Sequence, residues 1–289
     1  MAARLYCPLP LQTGAELNLP AQAARHVQVL RLQPGDAVEL FHGGLLLDNE
    51  VTANLNSDAG EPPAYATGWF EAVITRMGRS DVAVRVGDWH APHIPPQPAV
   101  HIACGVPANE RMDWLVEKAA ELGAGSIQPL LTRRSVLRLS GERALKRVAH
   151  WQAIAVSACE QSGRTAVPWV RPLLSLDAFL QQGIASRSAL ASDRAVGAAH
   201  EPAAARWVLS LQADAQPLRQ ALQAAQAMQS IWLLSGPEGG LDDAEEALAM
   251  QQGWTPVSLG ACTLRAETAP GAALAAWSIC REPIESQGR

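Results

Sequence analysis

Several features that would assign the chain to a common class are absent from its 289 residues. No apolar run reaches the roughly 18 residues of a membrane-spanning helix. The opening MAARLYCPLP also lacks the apolar core of a signal peptide. We therefore expect a cytoplasmic protein, of a length that favours two domains.

Cysteine is scarce and poorly placed for covalent or metal chemistry. The chain has five cysteines, an odd number with no C-x-x-C pair, and its seven histidines include no H-x-x-x-H pair. Disulfide frameworks and structural zinc sites need paired, regularly spaced ligands. We predict no bound metal and reduced thiols in or near the core at Cys7, Cys104, Cys159, Cys262 and Cys280.

An overall excess of positive charge is also missing, because the formal net charge is −5. Locally, however, residues 133–147 carry six basic side chains against one acidic. Such a segment can attract phosphates whatever the total charge, although it is equally typical of a solvated helix face. The basic side chains in question are Arg133, Arg134, Arg138, Arg143, Lys146 and Arg147.

The chain divides into two regions by pattern. Residues 1–90 contain short β-branched runs at 37–41, 70–76 and 81–86, which predict a small β-barrel. Residues 53–68 lose all periodicity and predict a long loop. The stretch GDWHAPHIPPQP (87–98) contains the predicted linker, which we place at residues 91–98.

From residue 99 onward strands alternate with helices, which predicts an α/β domain over 99–289 with a mostly parallel sheet covered on both faces. We predict short helices after Ser175 and Pro217. Longer helices are predicted at 109–123, where Asn109 can cap, and at 142–160, 242–252 and 269–280. Strands are predicted at 99–105, 126–131, 230–234 and 255–259.

Two glycine-bearing loops follow predicted strands in the last third, SGPEGGLDDAEE (235–246) and SLGACTLRAETAPG (258–271). Neither is a phosphate loop, because the lysine of G-x-x-x-x-G-K-[ST] and the spacing of G-x-G-x-x-G are absent. Glycines let backbone groups approach a ligand, and Asp242 with Glu245 forms a D-x-x-E capping box. Either loop alone is typical of ordinary strand-to-helix turns. Together they favour a neutral or cationic, flat ligand between leucines.

These loops, with ACEQSGR (158–164), WLVEKAAELGAGSIQPLLTRRS (114–135) and HVQVLRLQPGD (26–36), resemble the ribosomal RNA small subunit methyltransferase E (RsmE) family. The resemblance implies an S-adenosylmethionine-dependent enzyme that methylates N3 of a uridine in 16S ribosomal RNA, alone or in the assembled small subunit. It also implies a PUA-like N-terminal barrel, a SPOUT domain with a deep trefoil knot, and a homodimer.

The resemblance also assigns site residues. The implied cofactor-binding residues are Leu234, Ser235, Gly236, Gly239, Gly240, Leu259, Gly260 and Leu264. Arg265 and Glu267 match the catalytic L-R-x-E-T, with Arg265 expected to stabilise negative charge and Glu267 to orient it or accept a proton. The basic segment is joined as an RNA contact by Arg25, Arg31, Glu160, Gln161 and Arg164.

Two alternatives stay open. A non-catalytic RNA-binding module would use the barrel and the basic segment, although two intact cofactor loops disfavour it. A SPOUT enzyme could instead methylate a ribose 2′-OH, which the barrel and LRAET disfavour by resemblance. The chain departs from the family at Cys262, where a basic residue is common, at Pro270, and in the inserted residues 53–68.

Overall fold

The computed structural model describes residues 2–44, 68–92, 99–108, 110–181, 204–228 and 230–281. It separates into two compact units, Met1–Pro96 with Val156–Val167, and Gln97–Ala155 with Pro168–Arg289. The boundary near residue 96 falls within the predicted linker. The assignment of 156–167 to the first unit was not indicated by any sequence pattern. All of the predicted loop 53–68 except Gly68, and the predicted cap Asn109, lie outside the described residues.

The first unit is built on a five-stranded sheet of order β1-β3-β4-β5-β2. Strands β1 and β3 are parallel, and the other neighbours are antiparallel. Alternate residues of β5 are buried, as expected for a sheet with one face on a core. The strands are β1 Ala3–Tyr6, β2 Glu16–Asn18, β3 Ala37–Phe41, β4 Trp69–Met77 and β5 Val82–His90.

Two expectations for this unit were wrong. Helix α1 spans Ala21–Val29, where only strands were expected, and it buries Ala23, Ala24 and Val27 on one face. Alanine favours helix, and buried residues three and four positions apart lie on one face of a helix. Strand β5 also continues to His90, beyond the expected end at residue 86, where Trp89 and His90 pair with Phe70 and Trp69 of β4. The rings of His90 and Trp69 stack there, with centroids 4.3 Å apart.

The second unit contains an eight-stranded sheet in which every neighbouring pair is parallel. The parallel α/β architecture expected from the alternating pattern is therefore confirmed. Its strands are β6 Ala99–Gly105, β7 Ser126–Leu131, β8 Trp169–Val170, β9 Leu174–Ser175, β10 Ala204–Leu209, β11 Gln216–Pro217, β12 Ser230–Ser235 and β13 Thr255–Ser258. The helices that follow α1 are α2 Arg111–Leu122, α3 Gly141–Ser162, α4 Leu176–Gln181, α5 Leu218–Ala224, α6 Asp243–Gln251 and α7 Thr268–Arg281.

The strand order β11-β13-β10-β12-β6-β7-β8 fixes where the two glycine loops emerge. Strand β10 lies between β12 and β13. Because parallel strands end at one edge, the loop after β10 emerges between the two glycine loops. Every residue of β12 is buried, which is typical of a central parallel strand.

Composition-based expectations can also be compared with the described residues. No helix among them is long and apolar enough to cross a membrane. No cluster of three or more potential metal ligands occurs in the same ranges. Cys7, Cys104 and Cys159 are buried free thiols as predicted, whereas Cys262 and Cys280 are exposed, contrary to the prediction.

Candidate active site

A cleft of about 720 Å³ lies in the second unit at the carboxyl edge of the sheet. The loops after β10, β12 and β13 form its walls. Leu234 does not reach the cleft, because it is fully buried within β12. The other seven predicted cofactor-binding residues line it: Ser235, Gly236, Gly239, Gly240, Leu259, Gly260 and Leu264.

The loop after β12, residues 236–242, can be built only with glycine at its start. A Cβ on Gly236 would collide with the backbone of Gly240 and Leu241. Gly240 has a φ of +70°, a left-handed conformation that glycine adopts without strain, and its N–H donates to the carbonyl of Pro237 at 2.8 Å. The sequence thus folds this loop back tightly on itself.

The acidic side chains of this loop are bound to other parts of the second unit. Glu238 accepts hydrogen bonds from the backbone N–H of Ala108 at 2.8 Å and from Arg111 Nη1 at 2.9 Å. Asp242 and Glu245 form the predicted capping box at the start of α6. Hydrogen bonds from the Glu245 backbone, and then from Arg133, hold the pKa of Asp242 below its usual value.

Two arginines predicted to bind RNA contact this loop. The backbone N–H of Arg133 donates to Glu245 Oε1 at 2.8 Å, and its Nη1 donates to Asp242 at 2.9 Å. Arg134 Nη1 donates to the carbonyl oxygens of Gly239 at 2.7 Å and Leu241 at 3.1 Å. Residues 133 and 134 therefore join the loop after β7 to the loop after β12.

The loop after β13, residues 259–267, carries the two predicted catalytic residues. Arg265 is exposed and lines the cleft, and its carbonyl accepts hydrogen bonds from Thr268 and Ala269 at the start of α7. Glu267 is only 8% exposed and does not line the cleft. Within the described ranges, no ion pair joins the two, and Glu267 Oε2 has no hydrogen-bond partner.

The structure adds cleft residues that sequence reasoning missed. They come from the loop after β10, and from Arg111 at the start of α2. The available signal was the short apolar run WVL (207–209) before Ser210, which is typical of a buried strand. These contributors are Leu209 at the end of β10, and Ser210, Leu211 and Gln212 in the loop that follows.

The other predicted RNA contacts lie in both units. Arg138 and Arg143 are exposed, and Lys146 pairs with Glu142 at 2.8 Å along α3; Arg147 is partly exposed. In the first unit, Arg25, Arg31 and Gln161 are exposed, while Arg164 is partly buried. Their contact with RNA stays a prediction.

Glu160 has a different environment from a surface RNA contact. In the first unit its Oε1 accepts the backbone N–H of Tyr6 at 2.9 Å, and its Oε2 lies 3.5 Å from His26 Nδ1. Burial raises the pKa of this carboxyl, while the Tyr6 hydrogen bond opposes the shift. The side chain thus ties the end of α3 to β1.

Comparison with known proteins identifies the class to which this fold and cleft belong. The family model for the RNA methyltransferase domain matches residues 95–278. The ribosomal RNA small subunit methyltransferase E of Synechocystis is 32% identical over 95% of this chain and 77% of its own length. That of Mycobacterium bovis is 33% identical over 72% of both chains. The chain belongs to the ribosomal RNA small subunit methyltransferase E family.

Solved structures agree over almost the whole length. One is a methyltransferase of Legionella pneumophila in complex with the bound cofactor SAM, which is 29% identical to this chain with a TM-score of 0.76. The superposition covers 97% of this chain and 98% of the Legionella chain. The family enzyme of Neisseria gonorrhoeae bound to S-adenosyl methionine is 27% identical with the same TM-score and coverage.

Proposed function

We propose that this protein uses S-adenosylmethionine to methylate N3 of a uridine in 16S ribosomal RNA in the cytoplasm. The observation that carries the proposal is the cleft at the carboxyl edge of the parallel sheet. It is lined by both glycine loops, and the relatives from Legionella and Neisseria that are similar over 97% of this chain are crystallised with that cofactor.

The cleft residues fit the proposed cofactor. Ser235 Oγ and Glu246 Oε1 are buried atoms without a hydrogen-bond partner among the described residues, and both residues line the cleft. Buried polar atoms are normally paired, so these two favour a ligand that donates hydrogen bonds. Leu259 and Leu264 supply apolar wall for a flat ring.

The reaction needs a proton removed and negative charge stabilised. When bound, S-adenosylmethionine supplies an electrophilic methyl group on its sulfonium. Uridine N3 carries an imide proton, and its loss spreads charge onto O2 and O4. Arg265, exposed in the cleft, can donate from its planar guanidinium to such an oxygen. The two roles predicted for Glu267, orientation of Arg265 or acceptance of the proton, stay predictions, because among the described residues Glu267 neither pairs with Arg265 nor lines the cleft.

We assign RNA contact to the exposed basic side chains that begin at the end of β7 and continue along α3. Lysine and arginine neutralise backbone phosphates and release counterions, so a cluster of them favours a polyanion. The first unit, as a PUA-like barrel, would add Arg25 and Arg31, which are exposed. The proposal includes a SPOUT-type trefoil knot in the second unit and a homodimer.

The test is methyl transfer from tritiated S-adenosylmethionine into small subunits from a strain that lacks the modification, with naked 16S RNA in parallel. Nucleoside analysis should find the label in 3-methyluridine. Label in a 2′-O-methylated nucleoside would support the ribose alternative, and binding of RNA with no transfer would support a non-catalytic module. Either result overturns the proposed function.

A further inference from the structure

In the glycine loop 236–242, the polar groups of the Gly240–Leu241 peptide are free. Within the described residues, the carbonyl of Gly240 and the N–H of Leu241 have no hydrogen-bond partner. Both residues line the cleft. Unpaired backbone groups in a cleft are available to a ligand, because a polar group removed from water needs a partner.

The two peptides on either side are fully paired. In the first, Arg134 Nη1 donates to the Gly239 carbonyl and the Gly240 N–H donates to Pro237. In the second, Arg134 Nη1 donates to the Leu241 carbonyl and the Asp242 N–H donates to Glu245 Oε2 at 3.0 Å. One guanidinium nitrogen therefore fixes both peptides that flank the free one. This fixes the two Cα atoms that the planar peptide between them shares with its neighbours, and so limits how that peptide can turn.

The stem of Arg134 also packs against the loop. A Cβ on Gly239 would lie 3.2 Å from both Cβ and Cδ of Arg134, so glycine leaves room for the arginine there. Arg134 itself lines the cleft. Its side chain therefore contacts the loop along its length, in addition to its two charge-assisted hydrogen bonds.

We propose that Arg134 is a positioning residue for the cofactor. It holds the loop so that the Gly240–Leu241 peptide offers one acceptor and one donor to the ligand. The inference rests on the proposed function, because the ligand is taken to be S-adenosylmethionine. It gives Arg134 a role distinct from the phosphate contact expected from its place in a basic segment.

This role predicts that substitutions at two arginines of the same basic segment affect cofactor binding differently. Loss of two hydrogen bonds from a charged donor should weaken S-adenosylmethionine binding by Arg134→Ala about 10- to 100-fold. The KM for the cofactor should rise, with kcat at saturating cofactor largely retained. Arg134→Lys should recover part of the affinity, because an ammonium can still donate to both carbonyls.

The matched control is Arg143→Ala, at an exposed position of α3. It should leave cofactor affinity unchanged while lowering the salt slope of RNA binding by about 0.7 to 0.9. The measurements are calorimetric titration with S-adenosylmethionine and its demethylated product, RNA binding as a function of salt, and thermal unfolding of each variant. If Arg134→Ala does not stay folded, the comparison of Arg134→Lys with the wild type decides.

The outcomes distinguish a failure of the positioning role from a failure of the proposed function. A wild-type protein that does not bind S-adenosylmethionine contradicts the proposed function. A wild type that binds, with Arg134→Ala or a folded Arg134→Lys binding equally well, overturns the positioning role alone. So does an Arg134→Ala variant whose only defect is a lowered RNA salt slope.

Discussion

The two glycine loops at the carboxyl edge of the second unit differ in what holds them. The loop after β12 receives hydrogen bonds from residues that follow β6 and β7, through Glu238, Glu245 and the carbonyls bound by Arg134. The loop after β13 has only local hydrogen bonds in the part of the chain described, such as that between Ser258 Oγ and the N–H of Gly260 at 3.3 Å. The loop after β12 is thus held by residues from other loops, and the loop after β13 by hydrogen bonds within its own turn.

This difference suggests that the two loops have different functions. A loop whose peptides are fixed before binding loses little freedom when a ligand arrives, and this favours affinity. A loop with few outside contacts can adjust when a second substrate enters, and it carries the exposed Arg265. We infer that the first loop chiefly binds cofactor and the second chiefly responds to RNA. The following predictions test that contrast, starting with the largest effect.

Arg265→Ala should slow methyl transfer by roughly 100- to 1000-fold, the usual cost of losing one oxyanion-type donor. Cofactor affinity should change little, because Arg265 has no hydrogen bond to the loop after β12 within the described residues. Single-turnover transfer into undermethylated small subunits, with calorimetry for the cofactor, measures both. Arg265→Lys keeps the charge but not the planar fork, and should recover only part of the rate.

If Arg265→Ala lost methyl transfer only because it no longer binds cofactor, the proposed difference between the two loops would be wrong for Arg265. Normal turnover by that variant would remove Arg265 from the reaction altogether. Both outcomes leave cofactor binding by the first loop open to the next two tests.

Gly236→Ala should weaken cofactor binding by up to about 100-fold, since forcing atoms into packed space costs about 1–3 kcal/mol. The colliding atoms belong to the backbone of Gly240 and Leu241, which cannot move aside as a flexible side chain can. Gly271→Ala is the matched control: its Cβ would meet Leu122 at 3.9 Å, an ordinary contact inside α7. Titration calorimetry should find the control unchanged, and equal affinities for both variants would argue against a rigid first loop.

Glu245→Ala should destabilise the protein by about 2 kcal/mol, because it leaves two backbone N–H groups without their acceptor. Those donors are the N–H groups of Arg133 and Asp242, and Glu245 is only 4% exposed. The neighbouring Glu246→Ala removes a carboxylate whose buried Oε1 has no partner in the described residues, so it should not lower stability. Thermal unfolding distinguishes the two, with a drop in Tm of roughly 5 °C for Glu245→Ala alone. Equal effects would mean that the capping box does not hold the loop.

Local patterns in the sequence predicted much of this arrangement. The parallel sheet followed from alternating apolar runs, and the capping box followed from D-x-x-E, since both depend on residues close in the chain. The glycine loops were found because glycine itself marks close backbone approach. The region from 37 to 41 matched β3, in which Val38 and Leu40, two positions apart, are both buried.

The contacts that the sequence did not indicate join residues far apart in the chain. Arg134 contacts Gly239 across 105 positions, and Glu160 contacts Tyr6 across 154, so no local pattern links them. Charge assigned Arg134 to RNA and the family resemblance assigned Glu160, because a charged side chain looks the same in sequence whether it meets solvent, phosphate or a backbone group. Strand β10 was missed although a short apolar run marks it, and its place between β12 and β13 is set by topology, which no local pattern shows.

Gly260→Ala should have the smallest effect of the series, and it tests the second loop directly. Gly260 has a φ of +115°, which a side chain disfavours by about 1 kcal/mol, yet a Cβ there would meet no atom within 4 Å. The cost is therefore backbone strain alone, and a loop with only local hydrogen bonds can relax to relieve it. We expect cofactor affinity to fall by less than tenfold and Tm to change little, measured beside Gly236→Ala under the same conditions. A loss as large as that of Gly236→Ala would mean that the second loop is as rigid as the first, and that the proposed division between binding and response does not hold.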